Sequence, residues 1–165
     1  LDLEIIKRTF INFHLPEGRG DIKLIKKNKK IFKFIDESYN ANPLSMRSAI
    51  NNLHFYKRKK NERKIIFLGD MLELGKKSKK LHKNLSLIIN KKDIDKVYVY
   101  GKFIKETFNF LTPNKKGKIF NSLNEAFNHF SKNLYNNDVL MVKGSNATGL
   151  NKFSKNIKKG QAGVI

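Results

Sequence analysis

Short apolar runs alternate with segments whose apolar residues recur every three or four positions. Ile65-Ile66-Phe67-Leu68, Val97-Tyr98-Val99-Tyr100 and Val139-Leu140-Met141-Val142 are apolar or aromatic throughout and too short for helices. They read as strands buried on both faces, with Lys118-Ile119-Phe120 as a briefer one. Between them lie helical patterns: Met46, Ala49, Ile50, Leu53; Leu81, Leu85, Ile88, Ile89; a weak one through Phe103, Thr107 and Phe110; and Leu123, Ala126, Phe127, Phe130, Leu134. Ser78 is placed to cap the second of these, and Ser122 with Glu125 to form a capping box on the fourth. A final helix is predicted from about Thr148 to Lys158. Residues 1–13 have Leu3, Ile6, Phe10 and Phe13 at helix-compatible spacing. After the breaker-rich Leu15–Gly20 loop, residues 22–25 and 30–35 flank a polar turn and predict a hairpin. The sum is an α/β fold: a Rossmann-like, mostly parallel sheet with helices on both faces, plus an N-terminal helix and a β-hairpin.

The hairpin's second strand runs into Asp36-Glu37-Ser38-Tyr39-Asn40-Ala41-Asn42-Pro43, just before a helix. Asn42 suits an N-cap and Pro43 a first helical position. Parallel strands bring their carboxyl ends to one edge, where open α/β sheets bind ligands. This corner should therefore meet Gly69-Asp70, Gly101-Lys102 and Lys143-Gly144-Ser145 there.

With 165 residues the chain is long enough for one domain with a substantial core. The formal net charge of +21 raises nucleic-acid binding as a function, but Lys is spread through almost every segment and Arg is scarce. That distribution favours compositional drift over a dedicated binding face, so nucleic acid is not expected as a partner. No apolar run approaches a membrane span, so no membrane partner is expected. The absence of Cys excludes thiolate metal sites and a Cys nucleophile, and it fits a reducing cytoplasm. Position 1 is Leu and no signal-peptide pattern follows, so the chain is read as a piece of a longer polypeptide or a processed product.

Candidate chemistry concentrates at the strand ends. Gly69 to Ser78 resembles a phosphate loop but has five residues between its glycines, and Lys77 stands where a hydroxyl is required. No GxGxxG occurs, and His14, His54, His82 and His129 form no metal-ligand pair. Asp36 and Glu37 are adjacent on a strand and face opposite sides, so they make no glycosidase-like pair. They are either a polar strand terminus or an acceptor for a ribose hydroxyl or a cation. Asp70 and Glu73 are either loop residues or a carboxylate pair facing the crevice. Lys143 is either a surface lysine or a holder of an anion or carboxylate.

Four blocks in register resemble the Mur ligases, over nearly the whole chain. Asp36–Met46 is similar to D-D-S-Y-N-A-N-P-x-S-M, Leu68–Gly75 with His82 to L-G-D-M-x-E-L-G and a spaced His, Val142–Ser145 to V-K-G-S, and Gly18-Arg19 to a G-R element. Glu37 stands where the family has a second Asp, and Asn-Ala-Thr-Gly-Leu follows Ser145 where the family has an Arg soon after the serine. The resemblance implies that residues 1–165 are the C-terminal domain of a three-domain, ATP-dependent amide ligase of peptidoglycan synthesis, inactive alone. A central domain of the same chain would carry the phosphate loop, a carbamylated lysine and most of the ATP and Mg2+ contacts. In the branch resembled, the carboxylate of UDP-N-acetylmuramoyl-tripeptide becomes an acyl phosphate, which the amine of D-alanyl-D-alanine attacks. The resemblance further implies nucleotide contacts from Arg19, Asp36, Glu37, Asn40 and Asn42, and an amino-substrate side lined by Asp70, Glu73, Lys143 and Ser145. No catalytic or metal residue is implied within this domain. Two alternatives remain: a basic nucleic-acid-binding module and a non-catalytic remnant.

Overall fold

The computed structural model describes residue 4 and residues 17–27, 29–159 and 162–163. The helix expected over residues 1–13 lies outside these, Glu4 excepted. The strands are β1 (Asp21–Lys27), β2 (Lys30–Glu37), β3 (Lys64–Gly69), β4 (Lys96–Tyr100), β5 (Lys116–Phe120), β6 (Val139–Lys143) and β7 (Ala162–Gly163). The helices are α1 (Pro43–Phe55), α2 (Ser78–Ile89), α3 (Ile104–Asn109), α4 (Leu123–Asn133) and α5 (Leu150–Lys158). The sheet order is β5-β4-β3-β6-β2-β1-β7. All neighbours from β5 to β2 are parallel, and β1 pairs antiparallel with β2 and with β7.

Alternation along each strand divides the core. On β3, Ile66 and Leu68 face a layer with α1, α2 and α3, whereas Ile65 and Phe67 face one with α4 and α5. On β6, Val139 and Met141 face the first layer, Leu140 and Val142 the second. The second layer is aromatic: Phe67, Phe120, Phe130 and Phe153 cluster, with Phe67 edge-to-face on Phe120 at 5.6 Å and on Phe153 at 5.0 Å and tilted against Phe130 at 5.3 Å between centroids. The chain travels outward from β3 to β5 and then returns through α4 to insert β6 between β3 and β2. Crossovers keep one hand, so reversing the direction of travel moves the helix to the other face. This reversal makes β6 the switch point of the sheet.

Two predicted caps form differently. Ser78 is not an N-cap: a 3-10 turn (Gly75–Lys77) leads directly into α2, and the buried Ser78 is its first residue. Ser122 Oγ accepts the Glu125 N–H, but the Glu125 carboxylate accepts from Asn121 N–H rather than closing on Ser122. The last helix starts at Leu150, after a separate 3-10 turn over Asn146–Thr148.

Several lysines are fastened inside the fold. Lys64, almost wholly buried, donates to the His54 carbonyl at 2.8 Å and pairs with Asp93 at 3.0 Å. Lys115 donates to the carbonyls of Lys92 and Ile94, Lys96 to those of Asn114 and Lys116, and Lys30 to that of Lys132. These lysines satisfy carbonyls of loops and element ends near the amino ends of the strands, opposite the carboxyl edge.

Candidate functional site

The loops after β2, β3, β4 and β6 meet at the carboxyl edge. Asp36 and Glu37 leave β2 on opposite faces, as strand alternation requires. Asp36 is buried. Its Oδ1 accepts from Ser38 N–H at 3.1 Å and Ser38 Oγ–H at 2.6 Å, and its Oδ2 pairs with Lys158 Nζ at 2.6 Å. Lys158 also reaches Glu17 Oε1 at 3.2 Å. Burial works against the Lys158 ammonium, but Asp36 and Glu17 outweigh it and hold its pKa above the ordinary value. Glu37 faces Lys143 across the β2–β6 register, with Oε2 3.4 Å from Nζ.

Lys143 is 2% exposed and donates to the Asn40 carbonyl at 3.0 Å. Burial holds its pKa below the ordinary value, and Glu37 offsets this only in part. The side chain is thus a tie between β6 and the β2–α1 turn. In that turn Asn40 Oδ1 accepts from Ala41 N–H at 2.8 Å, and Asn42 and Ser45 cap α1 reciprocally at 2.8 and 3.1 Å. Gly18, at φ +78, lets the preceding loop approach: its carbonyl accepts from Tyr39 N–H, and a Cβ there would stand 2.9 Å from that nitrogen. Arg19 lies over the exposed Tyr39 ring at 4.3 Å.

Asp70, just past β3, is 6% exposed. Its carboxylate accepts N–H bonds from Lys102 at 2.9 Å, Phe103 at 2.9 Å and Ile104 at 2.7 Å, and so caps α3. Gly101 allows this approach, since a Cβ there would stand 2.5 Å from Asp70 Oδ1. Ser145 ties three loops: its N–H donates to the Asp70 carbonyl, its Oγ accepts from Leu72 N–H at 3.0 Å, and its hydroxyl donates to the Ala41 carbonyl at 3.3 Å. Glu73 is exposed, at φ 65.

Three crevices open among these loops. One of about 600 Å3 lies between Tyr39–Asn42, Glu73 and Ser145. A second, of about 570 Å3, is lined by Asp70, Tyr100, Lys102, Lys105 and Asn121. Leu72 and Ala147 border both. The third, of about 280 Å3, lies over Asp36 between Gly18, Tyr39, Lys155 and Lys158.

The nine residues singled out from the sequence thus gather at one edge, but with different freedom. Arg19, Glu37 and Glu73 present polar groups to solvent. Asp36, Asp70, Lys143 and Ser145 are buried ties between loops, Asn42 is engaged in its cap, and the exposed Asn40 accepts from Ala41 N–H with its side chain and from Lys143 with its carbonyl. Lys158 was not singled out. Its only signal is its position beside Ile157, at the flank of an amphipathic helix. Among the described residues no group of three or more His, Asp or Glu is arranged to hold a metal. No helix among them is long and apolar enough to cross a membrane.

A protein of Rickettsia prowazekii named UDP-N-acetylmuramoyl-tripeptide–D-alanyl-D-alanine ligase is 32% identical over 153 residues, covering 92% of this chain and 32% of the relative. MurF from Acinetobacter baumannii superposes with a TM-score of 0.75 at 25% identity, over 96% of this chain and 34% of that one. The MurF ligase of Thermotoga maritima in complex with ADP has the same fold, with a TM-score of 0.68 at 22% identity over 94% of this chain and 36% of that one. The chain therefore spans about a third of the length of these proteins. The family described as "Mur ligase, glutamate ligase domain" matches residues 22–146, most of the sheet and the loops of this edge, and the chain belongs to that family.

Proposed function

We propose that this chain is the C-terminal domain of an ATP-dependent ligase that joins D-alanyl-D-alanine to UDP-N-acetylmuramoyl-tripeptide in peptidoglycan synthesis. The carrying observation is the similarity to the Rickettsia prowazekii ligase along nearly the whole chain but only a third of that protein. The rest of the enzyme, an N-terminal domain and a central domain of the same chain, would supply the phosphate loop and the carbamylated lysine. Mg2+, with ATP, would be bound mainly by that central domain.

The geometry supports a division of labour along the edge. The Gly18–Tyr39 corner, with Arg19 stacked on an exposed ring and Glu37 beside it, suits the nucleotide: a guanidinium for phosphate, a carboxylate for ribose. The 600 Å3 crevice suits the amino substrate, because Glu73 presents a carboxylate that attracts an ammonium group. Asp36, Asp70, Lys143 and Ser145 act behind these groups by fixing the loops that carry them. ATP converts the tripeptide carboxylate to an acyl phosphate with release of ADP, and attack by the amine then forms the amide and releases phosphate. Closure of this domain on the central one would orient the amine, and such positioning can supply a large share of the acceleration.

The test is ligation by the full-length protein with candidate amino substrates. Product that requires both ATP and D-alanyl-D-alanine is expected. Equal use of D-glutamate or meso-diaminopimelate, or no ligation, refutes the assignment.

A further inference from the structure

His82 is wholly buried on α2, and both of its ring nitrogens are engaged. Nδ1 lies 2.7 Å from the Ser78 carbonyl, an acceptor, so Nδ1 carries the proton. Nε2 is then the acceptor, and it receives the Met71 N–H at 2.9 Å. The ring packs tilted on Phe103 at 5.9 Å, and the His82 carbonyl accepts from Thr107 Oγ1 on α3. The imidazole thus connects three pieces of the edge: the β3–α2 turn, α2, and the start of α3.

Beside the imidazole, the Met71 side chain is buried in the core and Ser145 N–H donates to the Asp70 carbonyl. Met71 N–H goes to His82 and Leu72 N–H to Ser145 Oγ, and the next residue is Glu73 in its left-handed conformation. We propose that His82 is the positioning residue of the larger crevice: a neutral imidazole that fixes the Met71–Glu73 turn and thereby holds Glu73 at the crevice lip. This rests on the ligase reading only for the identity of the substrate that Glu73 meets.

The proton inventory makes the device sensitive to acid. The charged groups facing the ring are Asp70 at the end of β3, with Oδ1 4.0 Å from Nε2, and Glu106 on α3. Burial lowers the His82 pKa from 6.5, and the Ser78 carbonyl and these two carboxylates offset it only in part. A proton on Nε2 places two N–H donors face to face and draws the ring toward Asp70, the carboxylate that caps α3.

Two measurements test this. In the 165-residue chain, NMR should show the Met71, Leu72 and Glu73 amides shifting with the His82 ring at one midpoint below 6.5. In His82→Gln, which keeps an amide acceptor, those shifts should vanish. Loop amides that stay still while the ring titrates overturn the proposal, whatever reaction the enzyme catalyses. In the full-length protein, His82→Leu should raise KM for D-alanyl-D-alanine by about tenfold or more while KM for ATP stays within about twofold. His82→Gln should restore the dipeptide KM to within about threefold of wild type. Loss of thermal stability with an unchanged dipeptide KM, or equal rises in both KM values, overturns the proposal. Absence of ligation by the wild type would sink the ligase reading alone, and the NMR shifts would still decide the role of His82. Should His82→Leu fail to fold, the shifts in His82→Gln carry the test.

Discussion

Replacing Asp70 tests the view that a carboxylate at this edge serves the fold before it serves a ligand. Its two oxygens accept three backbone N–H bonds at 2.7 to 2.9 Å. Hydrogen bonds to a charged group contribute about 1.5–3 kcal/mol each, but three donors sharing one carboxylate do not add fully. Solvent decides the weighting. Lys102 is exposed, so its N–H can turn to water, whereas Ile104 is fully buried and its N–H would be stranded. Asp70→Ala should therefore cost about 3–4 kcal/mol, a large part of the roughly 5–15 kcal/mol that holds a domain together. Asp70→Asn keeps the oxygen that serves Phe103 and Ile104 and sets its amide against the exposed Lys102 N–H, so it should cost only about 1–2 kcal/mol. Urea unfolding followed by circular dichroism should show both midpoints lowered at unchanged slope. Gly101→Ala should destabilise wild type twice over, because its Cβ meets Asp70 Oδ1 at 2.5 Å and its backbone sits at φ +143; combining it with Asp70→Ala should remove the contact and leave the backbone strain. An Asp70→Ala cost below about 1 kcal/mol, or an Asn variant as unstable as the Ala variant, refutes the capping argument.

Glu62 should govern part of the acid sensitivity. It is 2% exposed; burial disfavours its charge, but Lys33 at 2.7 Å and the Lys59 N–H outweigh burial and hold its pKa below 4.5. With the folded pKa below the unfolded one, its contribution is present above about pH 4.5 and lost as pH falls through the folded value. Glu62→Gln should thus cost about 1–2 kcal/mol in urea melts at pH 7, and a gap that stays constant down to pH 3 would contradict this. Gly18→Ala should lose about 2 kcal/mol, since it combines a left-handed backbone with a contact against Tyr39 N; an unshifted midpoint would show that the corner relaxes freely. Glu37→Asp withdraws the carboxylate from Lys143, whose Nζ keeps the Asn40 carbonyl, so ligation by the full-length protein should be intact or raised. A large rise in the KM for ATP in that variant would mean that the corner depends on the longer side chain.

The elements were legible because burial writes itself into spacing. Ile65–Leu68 and Val139–Val142 are apolar at every position, and only a strand covered on both faces requires that. Asn42-Pro43 announced the start of α1 by local chemistry alone. The meeting of the polar strand ends at one edge followed from parallel direction, and the family motifs marked which of them to watch. The insertion of β6 between β3 and β2 was not legible, because strand order depends on which nonlocal neighbours bury most surface, and no local pattern records it. The work done by each polar residue was equally hidden. Asp70 and Glu73 sit three positions apart, yet one is sealed beneath α3 and the other faces the crevice. Lys158 looks like dozens of other charges in a Lys-rich chain until the fold seats it against Asp36, and the motif that marks Lys143 does not show that the fold buries it against Glu37. Sequence alone thus determined the elements and the edge where chemistry gathers. Tertiary structure decided which side chains hold that edge together and which remain free to meet a ligand, because burial and partner distance exist only once distant segments have been packed.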